Sequence, residues 1–277
     1  MPAALDVESI VATLALVPVD EHRYRAQSIN LGHGVVFGGQ LIAQSVMAAL
    51  AGQEGKSVKT LHTVFARAGS PELPLDVEVE PVANGRSIAS TTVTISQGDR
   101  VCTRSLVLLS ADEPDVIRHL DTAPDITPPP SGPSGPAGWE VQVVGDVDIN
   151  DPDAVGPAEL DVWTRFPGAG EDRALGQALL SFATDGFLIG TAMRPHKGVG
   201  QSQAHKTLST GVLTHTITFH EPFLAGEWLL LRNRSPYAGR GRSYGTADVY
   251  TASGELVASY VQDNMIRARS AASAGAL

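Results

Sequence analysis

Leu75, Val77 and Val79 alternate with Asp76, Glu78 and Glu80, a two-residue period that predicts a strand with one buried and one wet face. The same period recurs at Ala89, Thr91, Val93 and Ile95 within residues 86–96. Apolar strand patterns at 58–67 and 101–109 complete a first set, with Gln97-Gly98-Asp99 as a hairpin turn. Ahead of them, residues 39–51 place Leu41, Ile42, Val46, Met47, Ala48 and Leu50 at helical spacing, and Gly52 is positioned to stop that helix.

A second block repeats this arrangement. Residues 172–193 read as one long helix, apolar nearly all round (Leu175, Ala178, Leu179, Leu180, Phe182, Ala183, Phe187, Leu188, Ile189) and ended by Pro195. A helix without a polar face must be wrapped by other structure. Strands are predicted at 139–144, 160–166, 211–220, 228–234, 242–251 and 256–267, with Ser253-Gly254 as a turn. Gly85-Arg86-Ser87 matches Gly241-Arg242-Ser243, Gly98 matches Gly254, and Leu61-His62-Thr63-Val64 resembles Thr214-His215-Thr216-Ile217. Three matches in one order imply a duplicated unit, a buried helix against a curved antiparallel sheet. The sheets of the two units are expected to join, which hides two edges. Pro128, Pro129, Pro130, Pro133 and Pro136, interleaved with glycines, make 126–138 a surface linker.

Composition narrows the function. The 277 residues carry a formal charge of −10, which argues against nucleic acid or an anionic membrane as main partner. The apolar run at 10–19 is too short to span a bilayer and lacks a signal peptide's basic flank, so a cytoplasmic location is expected. Cys102 is the single cysteine, which excludes an internal disulfide, and its apolar strand predicts a buried thiol. The histidines show no metal-ligand spacing on a helix, no Walker sequence occurs, and Gly200-Gln201-Ser202-Gln203-Ala204 lacks the second glycine of a nucleophile elbow. Two residues stand out instead. Asp185 lies inside the apolar helix, where an ionised carboxylate costs several kcal/mol unless it is met by hydrogen bonds or charge. Gln262 is an amide within the last apolar strand. Structural roles, a carboxylate bound to backbone near Gly186 and a cross-strand amide, remain open for both.

Several short motifs run in order along nearly the whole chain: Val36-Phe37-Gly38-Gly39-Gln40, Leu61-His62-Thr63-Val64-Phe65 with Arg67 and Gly69, and Phe219-His220 with Pro222-Phe223. Glu227-Trp228-Leu229-Leu230 and Val257-Ala258-Ser259 with Val261-Gln262 and Arg267 follow. Together they resemble the bacterial acyl-CoA thioesterase II family. The resemblance implies an α+β double hotdog: an N-terminal hotdog at 1–110, a linker at 111–138 and a C-terminal hotdog at 139–277. It also implies hydrolysis of acyl-CoA by an activated water, with an Asp–Thr/Ser–Gln trio. Asp185 and Gln262 fall on the family Asp and Gln. The family hydroxyl falls on Val212, and Thr214, expected on the same face, is the candidate replacement. Glu221 stands for a usual Arg and Ala68 for a usual Pro. Gly38 and Gly39 at the first helix start are candidate oxyanion donors, and Arg242 a candidate for CoA phosphates. No metal or organic cofactor is implied, and a homo-oligomer is expected. Val212 would equally suit a non-catalytic acyl-CoA or lipid-binding module.

Overall fold

The computed structural model describes residues 5–32, 34–130, 138–145 and 147–269. The first half comprises α1 (Val7–Leu14), β1 (Val17–Pro18), β2 (Arg23–Ala26), α2 (Gly38–Leu50), β3 (Ser57–Phe65), β4 (Leu75–Asn84), β5 (Ile88–Gln97) and β6 (Arg100–Ser110). The second comprises β7 (Glu140–Val143), β8 (Glu159–Arg165), α3 (Arg173–Thr184), α4 (Leu188–Met193), β9 (Leu208–Phe219), β10 (Leu229–Gly239), β11 (Arg242–Thr251) and β12 (Leu256–Ala268).

All twelve strands join one antiparallel sheet in the order β1-β2-β4-β5-β6-β3-β9-β12-β11-β10-β8-β7. The order reads the same from either end once β1, β2, β4, β5, β6 and β3 are matched to β7, β8, β10, β11, β12 and β9. The seam is β3 against β9, with pairs from Thr60↔Thr218 to Val64↔Thr214. Both strands would otherwise be open edges. The alternation read in the sequence is visible in the packing: Leu75 and Val77 are buried, whereas Glu78 is exposed. Gly98 and Gly254 occupy matching hairpin turns with φ of 61° and 89°, a region that L side chains rarely adopt. One sequence match does not hold on the same face, since His62 is exposed and His215 fully buried.

Helix α2 lies on β3 to β6, α4 on β8 to β12, and α3 packs against α2. The contact between α2 and α3 is tight. A Cβ on Gly39 would stand 2.3 Å from the Phe182 carbonyl oxygen, so only glycine permits this approach. Phe37 meets Phe182 edge-on at 4.9 Å between ring centroids. Residues 176–184 of α3 are all buried, as a helix without a polar face requires.

The structure corrects the long helix expected at 172–193, which is two helices. Asp185 ends α3, and Phe187, at φ −122° and ψ −32°, leaves helical geometry before α4 starts. Asp and Gly are weak helix formers, and the Asp185 side chain finds its partners outside the helix. The reading from sequence also lacked α1. Asp6 caps it through Glu8 N and Ser9 N, and Val7, Ile10 and Leu14 bury its apolar face. Among the described residues no helix is long and apolar enough to cross a membrane. Residues 131–137 of the expected linker lie outside the described residues. Upstream, Ala123 and Ile126 pack on Trp163, Trp228, Leu230 and Tyr250, a second apolar cluster.

Gly39→Ala should therefore destabilise the fold by about 2–4 kcal/mol, because α2 and α3 must separate to admit a methyl group. Denaturant unfolding at equilibrium measures this; an unchanged midpoint would show that the helix contact is slack.

Candidate active site

A helix start leaves N–H groups without intrahelical acceptors. At α2 the cap residue is Phe37, which offers no side-chain acceptor. The acceptor comes from the other half of the chain: Gly39 N–H donates to Asp185 Oδ2 at 3.0 Å. The break after α3 brings the carboxylate there, and Gly38 gives it room, since a Cβ at that position would lie 2.8 Å from Oδ2. Gly38 and Gly39 are thus assembled with Asp185, but in different ways. The Gly39 N–H is committed to the carboxylate, leaving Gly38 N–H as the donor at the helix start closest to it.

Burial pushes the Asp185 carboxyl up to about 7, against the lowering effect of the Gly39 N–H. Among the ionisable side chains nearby, His215 is held in the opposite sense. Burial, aided by the charge of His62, brings it down to about 3, so its imidazole is neutral near pH 7.

Gln262 is fully buried and faces His215 across the β9–β12 pairing. Its Nε2 approaches three acceptors: His215 Nδ1 at 2.8 Å, Thr184 O at 3.4 Å and Asp185 Oδ1 at 3.4 Å. Gln262 therefore touches the carboxylate directly. His215 Nε2 in turn meets Thr184 Oγ1 at 3.2 Å, and the ring stacks on Tyr260 with centroids 5.6 Å apart. Sequence reasoning gave no role to His215 or Thr184. The available signal was register, because His215 is the residue that an antiparallel partner strand places opposite Gln262.

Thr214 is not brought to this site. The β9–β12 register shifts between Asp263↔Thr214 and Asn264↔Val212, leaving Leu213 as an extra residue in a bulge. An extra residue reverses the alternation, so Val212 shares the inner face with His215 and Thr214 faces outward. There its hydroxyl donates to Asp263 Oδ2 at 3.2 Å. The expectation that positions 212 and 214 face the same way is corrected accordingly.

Arg242 is also apart from the carboxylate. It starts β11 and donates to Gly241 O at 2.9 Å. It lines a cleft of about 250 Å³ with Met193, His196, Val199 and Ile266 at the far end of α4 from Asp185. Helix α4, six residues and so about 9 Å long, lies between the two places. Cys102 is buried, and burial raises its thiol. Among the described residues no group of three or more His, Cys, Asp or Glu side chains is arranged to hold a metal ion.

Comparison with known proteins gives this arrangement a family. Residues 26–110 match the model of the acyl-CoA thioesterase N-terminal domain, and residues 115–266 that of the C-terminal domain. The chain is 27% identical to acyl-CoA thioesterase 2 of Haemophilus influenzae, over 94% of this chain and 98% of that protein. It is 26% identical to human acyl-coenzyme A thioesterase 8, over 95% of this chain and 91% of that one. Among solved structures, acyl-CoA thioesterase II TesB2 from Mycobacterium marinum aligns with a TM-score of 0.78 at 27% identity, covering 95% of this chain and 98% of that one. The tesB protein of Mycobacterium avium subspecies paratuberculosis aligns with a TM-score of 0.80 at 22% identity, over 95% and 100%. A hot dog fold protein from Alicyclobacillus acidocaldarius has a TM-score of 0.74 at 21% identity, over 95% and 99%, so the fold is of the hotdog kind. With both domain models matched in order across one sheet, the chain belongs to the acyl-CoA thioesterase II family.

Proposed function

We propose that this acyl-CoA thioester hydrolase, releasing free acid and CoA, uses Asp185 as the general base for its hydrolytic water. The observation that carries this reading is one carboxylate, held at a helix N-terminus and raised by burial to about 7. A base in that range takes a proton from water and returns it at neutral pH. In the first step Asp185 accepts a proton from water as the oxygen bonds to the thioester carbonyl carbon. The resulting oxyanion lies at the start of α2, where Gly38 N–H and the helix dipole stabilise it. Collapse of the tetrahedral intermediate breaks the C–S bond, and the proton on Asp185 passes to the departing thiolate. Gln262 holds the carboxylate in place through Oδ1. Arg242, exposed beside the cleft at the end of α4, is the proposed contact for CoA phosphates.

The proposal extends to architecture. The duplicated strand order and the α2–α3 pairing support two hotdog units, each a curved sheet wrapped round a central helix. Residues 1–110 and 139–277 would form the units and 111–138 the connection.

Thiol release from acyl-CoA substrates of graded chain length tests the reaction directly. Asp185→Asn should lower kcat about a hundredfold or more, and the wild-type rate should rise with pH through about 7 as the base ionises. A variant as fast as wild type would refute Asp185 as base, and acyl-CoA bound without thiol release would refute hydrolysis.

A stability measurement checks the same group independently. Its folded-state pKa is raised above the ordinary value of 3.8, so the native protein holds the proton more tightly than the unfolded chain. Wild-type stability is then lost as pH rises from about 4 to about 7. Asp185→Asn, which carries no charge, should melt roughly 5–10 °C above wild type at pH 8 and match it near pH 4.

The bulge at Leu213 separates two further variants. Thr214→Val should leave kcat within about twofold of wild type, because the hydroxyl faces Asp263 on the outer side. Val212→Thr places a hydroxyl on the inner face and should raise kcat about tenfold, the worth of one added hydrogen bond to the water. The reverse pattern would return Thr214 to the site.

A further inference from the structure

His215 is fully buried, uncharged and absent from the mechanism above, yet both of its ring nitrogens are engaged. Thr184 settles what the first nitrogen does. The Thr184 hydroxyl has one proton, which it donates to Ser181 O at 2.9 Å, so towards the imidazole it can only accept. His215 Nε2, 3.2 Å from that oxygen, must carry the ring proton. A neutral imidazole has one N–H, which makes Nδ1 an acceptor. The group 2.8 Å from Nδ1 must then be a donor, and in Gln262 that is the NH₂ end of the amide.

The same NH₂ end faces Asp185 Oδ1 and Thr184 O. Were the amide reversed, its carbonyl oxygen would stand against a backbone carbonyl and an imidazole lone pair, neither of which can donate, and against Asp185, which can donate only when protonated. We infer that His215 is a positioning residue: the order Gln262 → His215 → Thr184 → Ser181 fixes which end of the Gln262 amide meets Asp185. The groups bearing on His215 from the surrounding elements are Asp185 beyond Gln262, Tyr260 stacked on the ring, and His62 on β3. Of these, only Asp185 is joined to it through a hydrogen-bonded partner that can turn over. This inference rests on the general-base role of Asp185 for its kinetic consequence; the order of hydrogen bonds stands without it.

The test combines NMR with kinetics. In ¹⁵N spectra of the wild-type protein at pH 7, His215 should be neutral with its proton on Nε2; a proton on Nδ1 would overturn the inference. His215→Phe keeps a ring but removes the acceptor. It should lower kcat about tenfold with KM within about twofold. The Asp185 carboxyl, followed by ¹³C NMR, should titrate about half a unit to one unit higher, since a donor to the charged form is lost. His215→Asn offers an amide oxygen near the former Nδ1 and should recover most of both effects. Thr184→Val, which preserves shape and removes the acceptor for Nε2–H, should move both in the same direction by a smaller amount.

Equal defects in His215→Phe and His215→Asn, or an unmoved Asp185 titration in His215→Phe, would show a space-filling role and end the proposal. If His215→Phe fails to fold, Thr184→Val and the wild-type tautomer decide the matter. A wild-type chain that releases no thiol, but shows the stated tautomer and titrations, would refute the hydrolytic mechanism and leave the positioning role standing.

Discussion

A helix N-terminus carries unmet N–H groups and a partial positive charge, and α2 has no side chain of its own to answer them. A carboxylate is the natural partner, but the one that arrives belongs to a helix 146 residues further along the chain. That single contact imposes conditions in several places. Gly38 must leave space for the carboxylate, and Gly39 must let the helices touch. Helix α3 must break at Asp185, so that the side chain can turn towards α2. The seam between β3 and β9 must hold the two halves in register, because a shift of one residue would exchange inner and outer faces.

The two helix starts solve one problem differently. Asp172 caps α3 with its own side chain, through Leu175 N at 2.7 Å. Gln177 of α3 then spends both ends of its amide on Val58, at 3.0 Å and 2.8 Å, beside the irregularity in β3. On this side polar groups are consumed by local structure. At the α2 start the carboxylate stays titratable, with a proton affinity that lies near neutrality. The strand order is duplicated, but the chemistry is not.

Much of the fold was readable because its signals are local. Period-two alternation at Leu75, Val77 and Val79 and the turn glycines at 98 and 254 are short-range facts, and they placed the strands to within a few residues. Asp185 and Gln262 were visible as polar residues in apolar surroundings, a conflict that marks a site. What failed was less local. The break at Asp185 lies in an unbroken apolar pattern, and hydrophobicity alone does not report where a side chain leaves its helix for a distant N–H. The bulge at Leu213 comes from register with β12, so counting along β9 alone put Thr214 on the wrong face. His215 was passed over for the same reason, since its importance lies in what stands across the sheet.

The seam has a consequence for the order in which the protein is made. Thr60 and its cross-sheet partner Thr218 are 158 residues apart. At a synthesis rate of about 5–20 residues per second, β3 emerges roughly 8–30 s before the strand that covers its edge. During that interval the nascent first half presents an unpaired strand to every neighbouring chain. Lys59, whose ammonium ends on Phe219 O at 2.6 Å in the finished sheet, sits on that strand. A lysine on an open edge discourages pairing with strangers. The same side chain thus guards the edge while it waits and fastens the seam once its partner arrives.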